Sequence, residues 1–307
     1  MASKRFTSAL CSGLAGLLLA ACLPVNADAS YCAIDDLGEQ LCLEAPAQRI
    51  AALSPGATEL AFAAGAGEQV VAVVAHSDYP PEAEKLPSVG DHQRIDLEAL
   101  LSLQPDLVIG WVSGNPPAQL EKLAALGLPV FYLEPQHFEG IASAIERLAS
   151  LTGSEARGYP AADDFRNQMA ALEARYADLE PVSVFYQVWE TPLMSVNDEN
   201  FIGQIITLCG GDNIMGEQTR QVPRLNPEVV IAGNPAAIVT GGNGEDNRDW
   251  FEHWRQYPEL SAVANDHLFL VPPSLIQRPT PRLAQGARLL CEQLDTVRQA
   301  TLVEPPP

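Results

Sequence analysis

The sequence predicts an α/β protein of two similar lobes with mainly parallel sheets, joined by a central helical stretch and with one cleft between the lobes. Three observations predict it. From Arg49 onward, short β-rich runs alternate with helix-periodic segments, the pattern of a parallel sheet with crossover helices. A segment of the first half recurs in the second at an offset of 130 residues, from Asp96 to Asn226. The chain has 307 residues, 47% of them hydrophobic, enough for two domain-sized units with a sizeable core.

At the N-terminus, Lys4 and Arg5 precede an apolar stretch from Ala9 to Ala21. It is shorter than the roughly 20 residues a membrane span requires, and it has the charge and length pattern of a secretory signal. Leu19-Ala20-Ala21-Cys22 has the form of a lipobox, with Cys22 as lipidation candidate, while Ala27-Asp28-Ala29 offers an ordinary cleavage site. Both readings place the mature chain in the periplasm, soluble or lipid-anchored. Residues 1–29 are therefore taken as signal and linker.

Residues 30–46 read as a β-hairpin, because Cys32 and Cys42 lie symmetrically about Leu37 and Asp36 and Gly38 mark a turn. Of the six cysteines, Cys11 and Cys22 belong to the signal and lipobox region; the other four, in an oxidising compartment, allow three connectivities, and this symmetry selects Cys32–Cys42, which leaves Cys209 to pair with Cys291. Closing so long a loop stabilises the fold by about 4–5 kcal/mol on the chain-entropy argument.

Residues 47–137 form the first α/β lobe, with strands at Arg49–Leu53, Val70–Val74, Asp106–Trp111 and Pro129–Leu133 and helices at Thr58–Ala64, Leu97–Leu103 and Pro117–Leu126. Residues 138–179 are the linking helical segment, Phe138–Leu151 and Ala161–Leu179, interrupted by Gly153, Gly158 and Pro160. Residues 180–300 form the second lobe, with strands at Val182–Val188, Ala236–Thr240 and His267–Val271. Its helices are expected at Phe201–Cys209, Pro227–Ala232, Arg248–Gln256 and Pro281–Arg298. Residues 301–307 are a tail.

The repeat aligns Asp96 to Ile109 with Asn226 to Val239 without a gap, each with an N-cap residue, Glu in the first turn (Glu98, Glu228), a helix-ending Pro and then a strand. Ala64-Gly65 and Cys209-Gly210 likewise end one helix in each half.

Function classes narrow from there. With 18 Lys+Arg against 39 Asp+Glu, the net charge of −21 repels nucleic acid and anionic lipid. No nucleophile-elbow, phosphate-loop or zincin motif occurs, so an enzyme is not expected and no cofactor or structural metal is called for. In parallel α/β folds ligands bind beyond the carboxyl ends of strands. Those positions hold His76 to Tyr79, Trp111, Trp189 and Pro272 to Arg278, an aromatic surface with few polar groups, suited to a large, flat, weakly charged ligand. His76 and His92 read either as metal ligands beside Asp78, Glu82 or Asp91, or as exposed loop histidines.

Arg49 to Gly65, containing Ser54-Pro-Gly-Ala-Thr-Glu59, together with Ser77-Asp-Tyr-Pro-Pro81 and Asp96 to Ile109, resembles the substrate-binding proteins of ABC importers for cobalamin and ferric siderophores. Phe185 to Trp189, Leu208 to Asn213 and Gln277 to Arg282 extend the resemblance over residues 47–298. Ser-Asp-Tyr-Pro-Pro and the paired cysteines narrow it towards the cobalamin branch.

The resemblance implies a single long backbone helix, little hinge closure, and a corrinoid held between aromatic walls. It further implies a free monomer that delivers its cargo to a dimeric ABC permease with its ATPase subunits. The expected ligand-binding residues are His76, Tyr79, His92, Trp111, Trp189 and Arg278. In the family one Glu on each lobe docks on the permease, by motif Glu98 and Glu228 here; the other reading is a helix-dipole role worth about 0.3–1 kcal/mol each. Cobalamin binders of the family carry a Trp at the place of His92, a Tyr at His76 and a Trp at Val222. These departures leave Trp111, Trp189 and Tyr79 for stacking and open the option of a His on cobalt. The alternative is a ferric siderophore or haem carrier. An anionic chelate wants convergent Arg or Lys, which the chain offers sparsely near the cleft.

Overall fold

A computed structural model describes residues 31–303 apart from Asn243 and Asn247, so the signal segment, Cys22 and the last four residues lie outside it. The chain opens with a hairpin, β1 (Tyr31–Ile34) and β2 (Gln40–Leu43), in which Cys32 lies directly opposite Cys42 and is bonded to it. The Asp35 carboxylate accepts from the Leu37 and Glu39 amides at 2.9 Å each, and Gly38 takes φ +84°, so side chain and glycine together close the turn.

The first lobe runs β3 (Ile50–Ala52), α1 (Pro55–Ala63), β4 (Val70–Ala72), α2 (Leu97–Ser102), β5 (Leu107–Trp111), α3 (Pro117–Ala125) and β6 (Val130–Leu133). Two helices follow, α4 (Phe138–Thr152) and α5 (Glu155–Tyr176). The second lobe runs β7 (Val182–Gln187), α6 (Phe201–Leu208), β8 (Gly211–Asn213), α7 (Pro227–Gly233), β9 (Ala237–Thr240), α8 (Phe251–Trp254), α9 (Ser261–Ala264), β10 (Leu268–Leu270), α10 (Pro273–Ile276) and α11 (Leu283–Val303).

Both sheets are parallel, with strand orders β4-β3-β5-β6 and β10-β9-β7-β8. Numbered within its own lobe, each order reads 2-1-3-4, so the lobes share one topology. The 130-residue repeat falls on α2–β5 and α7–β9, the equivalent helix–strand units. Asp96 caps α2 by accepting from the Glu98 and Ala99 amides, and Asn226 caps α7 by accepting from the Glu228 amide. Gly65 and Gly210 both have positive φ, as expected of glycines that end α1 and α6.

One apolar core spans both lobes. It takes Ile50 and Ile109 from the first sheet, Phe165 and Met169 from α5, and Val184, Ile205 and Leu290 from the second lobe. Moving one lobe against the other would open this core, which argues against large hinge motion. Cys209, just past α6, is bonded to Cys291 in α11, with both residues fully buried. Arg298 donates to the Cys209 and Gly210 carbonyls at 2.6 and 2.8 Å and so satisfies acceptors that the end of α6 leaves open.

Several boundaries differ from the sequence expectation. Only Gly153, at φ +66°, breaks the linking helices. Gly158 and Pro160 lie inside α5: Pro160 is exposed, so the carbonyl it leaves unpaired faces water, and Gly158 lets α5 approach Ala149 and the Ala64 carbonyl. The single long helix that bridges the lobes is α5, 22 residues, which packs against α1 on one side and α6 and α11 on the other, with α4 alongside it. The helix expected over Arg248–Gln256 shortens to Phe251–Trp254, and β8, too polar and short to show a pattern, was not expected. Among the described residues no helix is long and apolar enough to cross a membrane.

Candidate functional site: a groove between the lobes

Parallel strands end at one edge, so the segments after β3, β4, β5 and β6 gather on one side of the first sheet. There they wall a cavity of about 250 Å³ that includes Ser54–Ala57, His76, His92, Trp111 and Leu133–Pro135. A second cavity, about 230 Å³, lies against the other lobe between Val188, Val196, Phe201 and Val222. Both share Gln277, Arg278 and Pro279, which makes them two halves of one groove between the lobes.

Its first-lobe wall is set by Asn115, 3% exposed. The Asn115 carboxamide oxygen accepts from the Trp111 amide at 2.7 Å, while its nitrogen donates to the Leu53 and His92 carbonyls at 2.9 and 2.8 Å. One side chain therefore ties together the ends of β3 and β5 and the His92 turn. The His92 and Trp111 rings sit 5.7 Å apart, tilted by 45°. Beside them Ser113 donates to Glu134 through both amide and hydroxyl, at 2.9 and 3.0 Å.

Behind Arg278, the groove's own cation, an ionic cluster crosses the lobes. Glu59, in the middle of α1 with its side chain only 2% exposed, accepts from Arg278 at 3.0 Å and from the Arg282 Nε and Nη2 at 2.9 and 2.6 Å. Asp78 holds the same Arg278 Nη1 at 2.7 Å. The other Arg278 nitrogen reaches the carbonyl of His76, a residue whose φ of +66° is costly without glycine. Burial pushes the Asp78 carboxyl up, but the hydrogen bond and charge of Arg278 outweigh it and hold it below its ordinary value. Burial likewise disfavours the Arg278 cation, and Asp78 and Glu59 more than restore it. Two carboxylates face two guanidiniums, a balanced set that tolerates burial.

The structure brings His76, His92, Trp111 and Arg278 to this groove. Tyr79 lies outside it, its ring centroid 4.0 Å from the Arg282 guanidinium carbon, in a separate depression with Glu59 and Asp164. Trp189, 49% exposed, stands past the end of β7 with its ring edge-on to Trp250 at 6.0 Å and its indole N–H on the Thr191 carbonyl. Glu98 and Glu228 are exposed in the first turns of α2 and α7.

Sequence reasoning missed Asn115 and Glu59 as site residues, and singled out Asp78 only as a strand-end position and a metal-ligand option beside His76, not as the partner of Arg278. Glu59 did leave a signal: one carboxylate in an otherwise apolar helical run, with two arginines four apart at 278 and 282. Among the described residues no group of three or more His, Cys, Asp or Glu is placed to hold a metal ion, so the metal-ligand reading of His76 and His92 does not extend to a protein-built metal site. The arrangement suits binding a broad apolar face with a few polar anchors.

Two topologically equal α/β lobes, a shared core and a groove at the strand ends define a binding protein. The chain belongs to the periplasmic binding protein family, whose model matches residues 50–275. It is 37% identical over 254 residues to the vitamin B12-binding protein of Vibrio parahaemolyticus, covering 83% of this chain and 92% of that one. The vitamin B12-binding protein of Yersinia pestis is 36% identical over 252 residues, covering 82% of this chain and 88% of that one. Among solved structures, the fold matches the periplasmic vitamin B12-binding protein BtuF of Vibrio cholerae with a TM-score of 0.75 at 37% identity, covering 82% of this chain and 98% of that one. It also matches the periplasmic haem-binding protein RhuT of a Roseiflexus species with a TM-score of 0.72 at 26% identity, covering 81% and 98%.

Proposed function

We propose that the chain is the substrate-binding component of an ABC importer, holding cobalamin in the interlobe groove and handing it to a dimeric permease without chemical change. The observation that carries this reading is the groove itself, walled by Trp111 and His92 in a chain 37% identical to vitamin B12-binding proteins over most of their length. Trp111 and the His92 ring supply flat apolar surface, and Arg278 supplies hydrogen-bond donors for amide or phosphate oxygens. Trp189 and Tyr79, outside the cavities, would reach the ligand at its margins.

Glu98 and Glu228 are proposed as the docking contacts. The shared 2-1-3-4 topology supports this, because it puts both carboxylates at the same position of equivalent helices, the arrangement a two-fold symmetric partner requires. The protein works in the periplasm as a monomer, released from its signal segment or anchored through Cys22. One observation favours a second reading, haem or a ferric chelate: two imidazoles, His76 and His92, line the groove.

Titration of the mature chain with cyanocobalamin, hemin and a ferric hydroxamate, read by tryptophan fluorescence, separates the two. Cyanocobalamin is expected to bind tightest; preferred hemin binding, with a Soret shift lost in His76→Ala or His92→Ala, would replace cobalamin with haem. Reversing both charges, Glu98→Lys with Glu228→Lys, is expected to abolish uptake through the reconstituted importer and leave cyanocobalamin affinity intact. Lost affinity would refute the docking assignment.

A further inference from the structure

Arg278 is the sole Lys or Arg side chain among the described residues lining the groove, and it enters already engaged. Its Nη1 serves Glu59 and Asp78, its Nη2 serves Asp78 and the His76 carbonyl, and its Nε–H has no partner among the described residues. Arg282, the neighbouring cation four residues on in the connection between α10 and α11, is likewise held by Glu59 and covered by Tyr79. Glu134 adds a further negative charge to the groove wall. The groove therefore carries arginine without carrying net positive charge.

We propose that Asp78 and Glu59 determine charge selectivity: by neutralising Arg278 and Arg282 they fit the groove to a ligand uncharged overall and rich in amide or carbonyl acceptors, and bar anionic iron chelates. The proposal rests on the reading of the groove as the ligand site and deepens it. An uncharged ligand needs a single hydrogen-bond donor from Arg278, which Nε–H can supply with the ion pairs intact. An anionic chelate must either displace Asp78 from Arg278 or face a groove whose wall carries Glu134 and whose one cation, Arg278, is already neutralised by Asp78 and Glu59 behind it. Asp78 is the informative position, since its side chain is 53% exposed and its loss leaves the buried Glu59 still paired to both arginines.

The test compares wild type, Asp78→Asn and Asp78→Glu at low ionic strength, with cyanocobalamin, uncharged overall, and a ferric tris-catecholate, triply anionic, as probes. The readout is the ratio of the two affinities. Asp78→Asn is expected to shift that ratio towards the catecholate by about tenfold or more, with the shift shrinking as salt is added, and Asp78→Glu is expected to return it towards wild type. A ratio within twofold of wild type in Asp78→Asn, or no catecholate binding in either protein, overturns the proposal. Far-UV circular dichroism checks that each variant is folded, and Asp78→Ala stands in should Asp78→Asn not fold. Failure of wild type to bind cyanocobalamin would instead sink the cobalamin reading. The catecholate affinities of the three proteins would then decide charge selectivity alone.

Discussion

Asn115→Ala tests whether one buried amide holds the wall of the groove. The substitution removes three hydrogen bonds of 2.7 to 2.9 Å and leaves the Trp111 amide and the Leu53 and His92 carbonyls without their partner. An orphaned buried polar group costs about 1–3 kcal/mol, and the His92 turn is exposed enough for water to replace its share, so about 2–4 kcal/mol is expected. For a chain of this size that lowers the melting temperature by about 3–7 °C. Because Trp111 and His92 lose their common tether, cyanocobalamin affinity is expected to fall along with stability. Asn115→Asp keeps the acceptor for the Trp111 amide but loses both donors and buries a charge, so it should be no better than Ala. The assays are thermal denaturation by circular dichroism and ligand titration by fluorescence. A loss below 1 kcal/mol with unchanged affinity would show that the wall is set by backbone pairing and not by Asn115.

Gly158→Ala should destabilise the fold by about 1–3 kcal/mol in urea denaturation, although Ala ordinarily favours a helix interior over Gly by about 1 kcal/mol. The added Cβ would lie 2.4 Å from the Ala149 Cβ and 3.0 Å from the Ala64 carbonyl oxygen, so a stabilised variant would contradict the close approach of α5 to α4 and α1. Acid should weaken the α4–α5 contact through Glu139, whose carboxyl the Arg166 hydrogen bond holds below its ordinary value. A depressed folded-state pKa contributes stability that is present above the unfolded value, about 4.3, and lost as pH falls through the folded one. Glu139→Gln should therefore flatten the stability curve below about pH 4.5 and leave its shape near neutrality unchanged; an unaltered acid limb would refute the pairing.

Much of this architecture was legible in the chain because it is local. The alternation of β and helical periods, the caps at Asp96 and Asn226, and the turn glycines are decided within a few residues. The repeat was readable too, since a duplicated lobe leaves its Glu and Pro at fixed spacing, and the hairpin symmetry pointed to Cys32–Cys42. Helix bounds around Gly158 and Pro160 were not legible, because a tertiary contact with Ala64 and Ala149 overrides local propensity there.

The groove divides along the same line. Sequence position alone put His76, Trp111 and Arg278 near strand ends, since strand direction decides which loops share an edge, while His92 came in through the resemblance. What it did not determine is that Arg278 and Arg282 converge on Glu59 some 220 positions away, or that Asn115 ties three segments into one wall. Those contacts join residues from different lobes and strands, so they exist only once both sheets are stacked on the shared core. Composition and spacing determined two lobes and their topological class; the charge balance of the groove, and with it what the groove accepts, is decided by three-dimensional convergence, because Coulomb energy depends on distance in space and not along the chain.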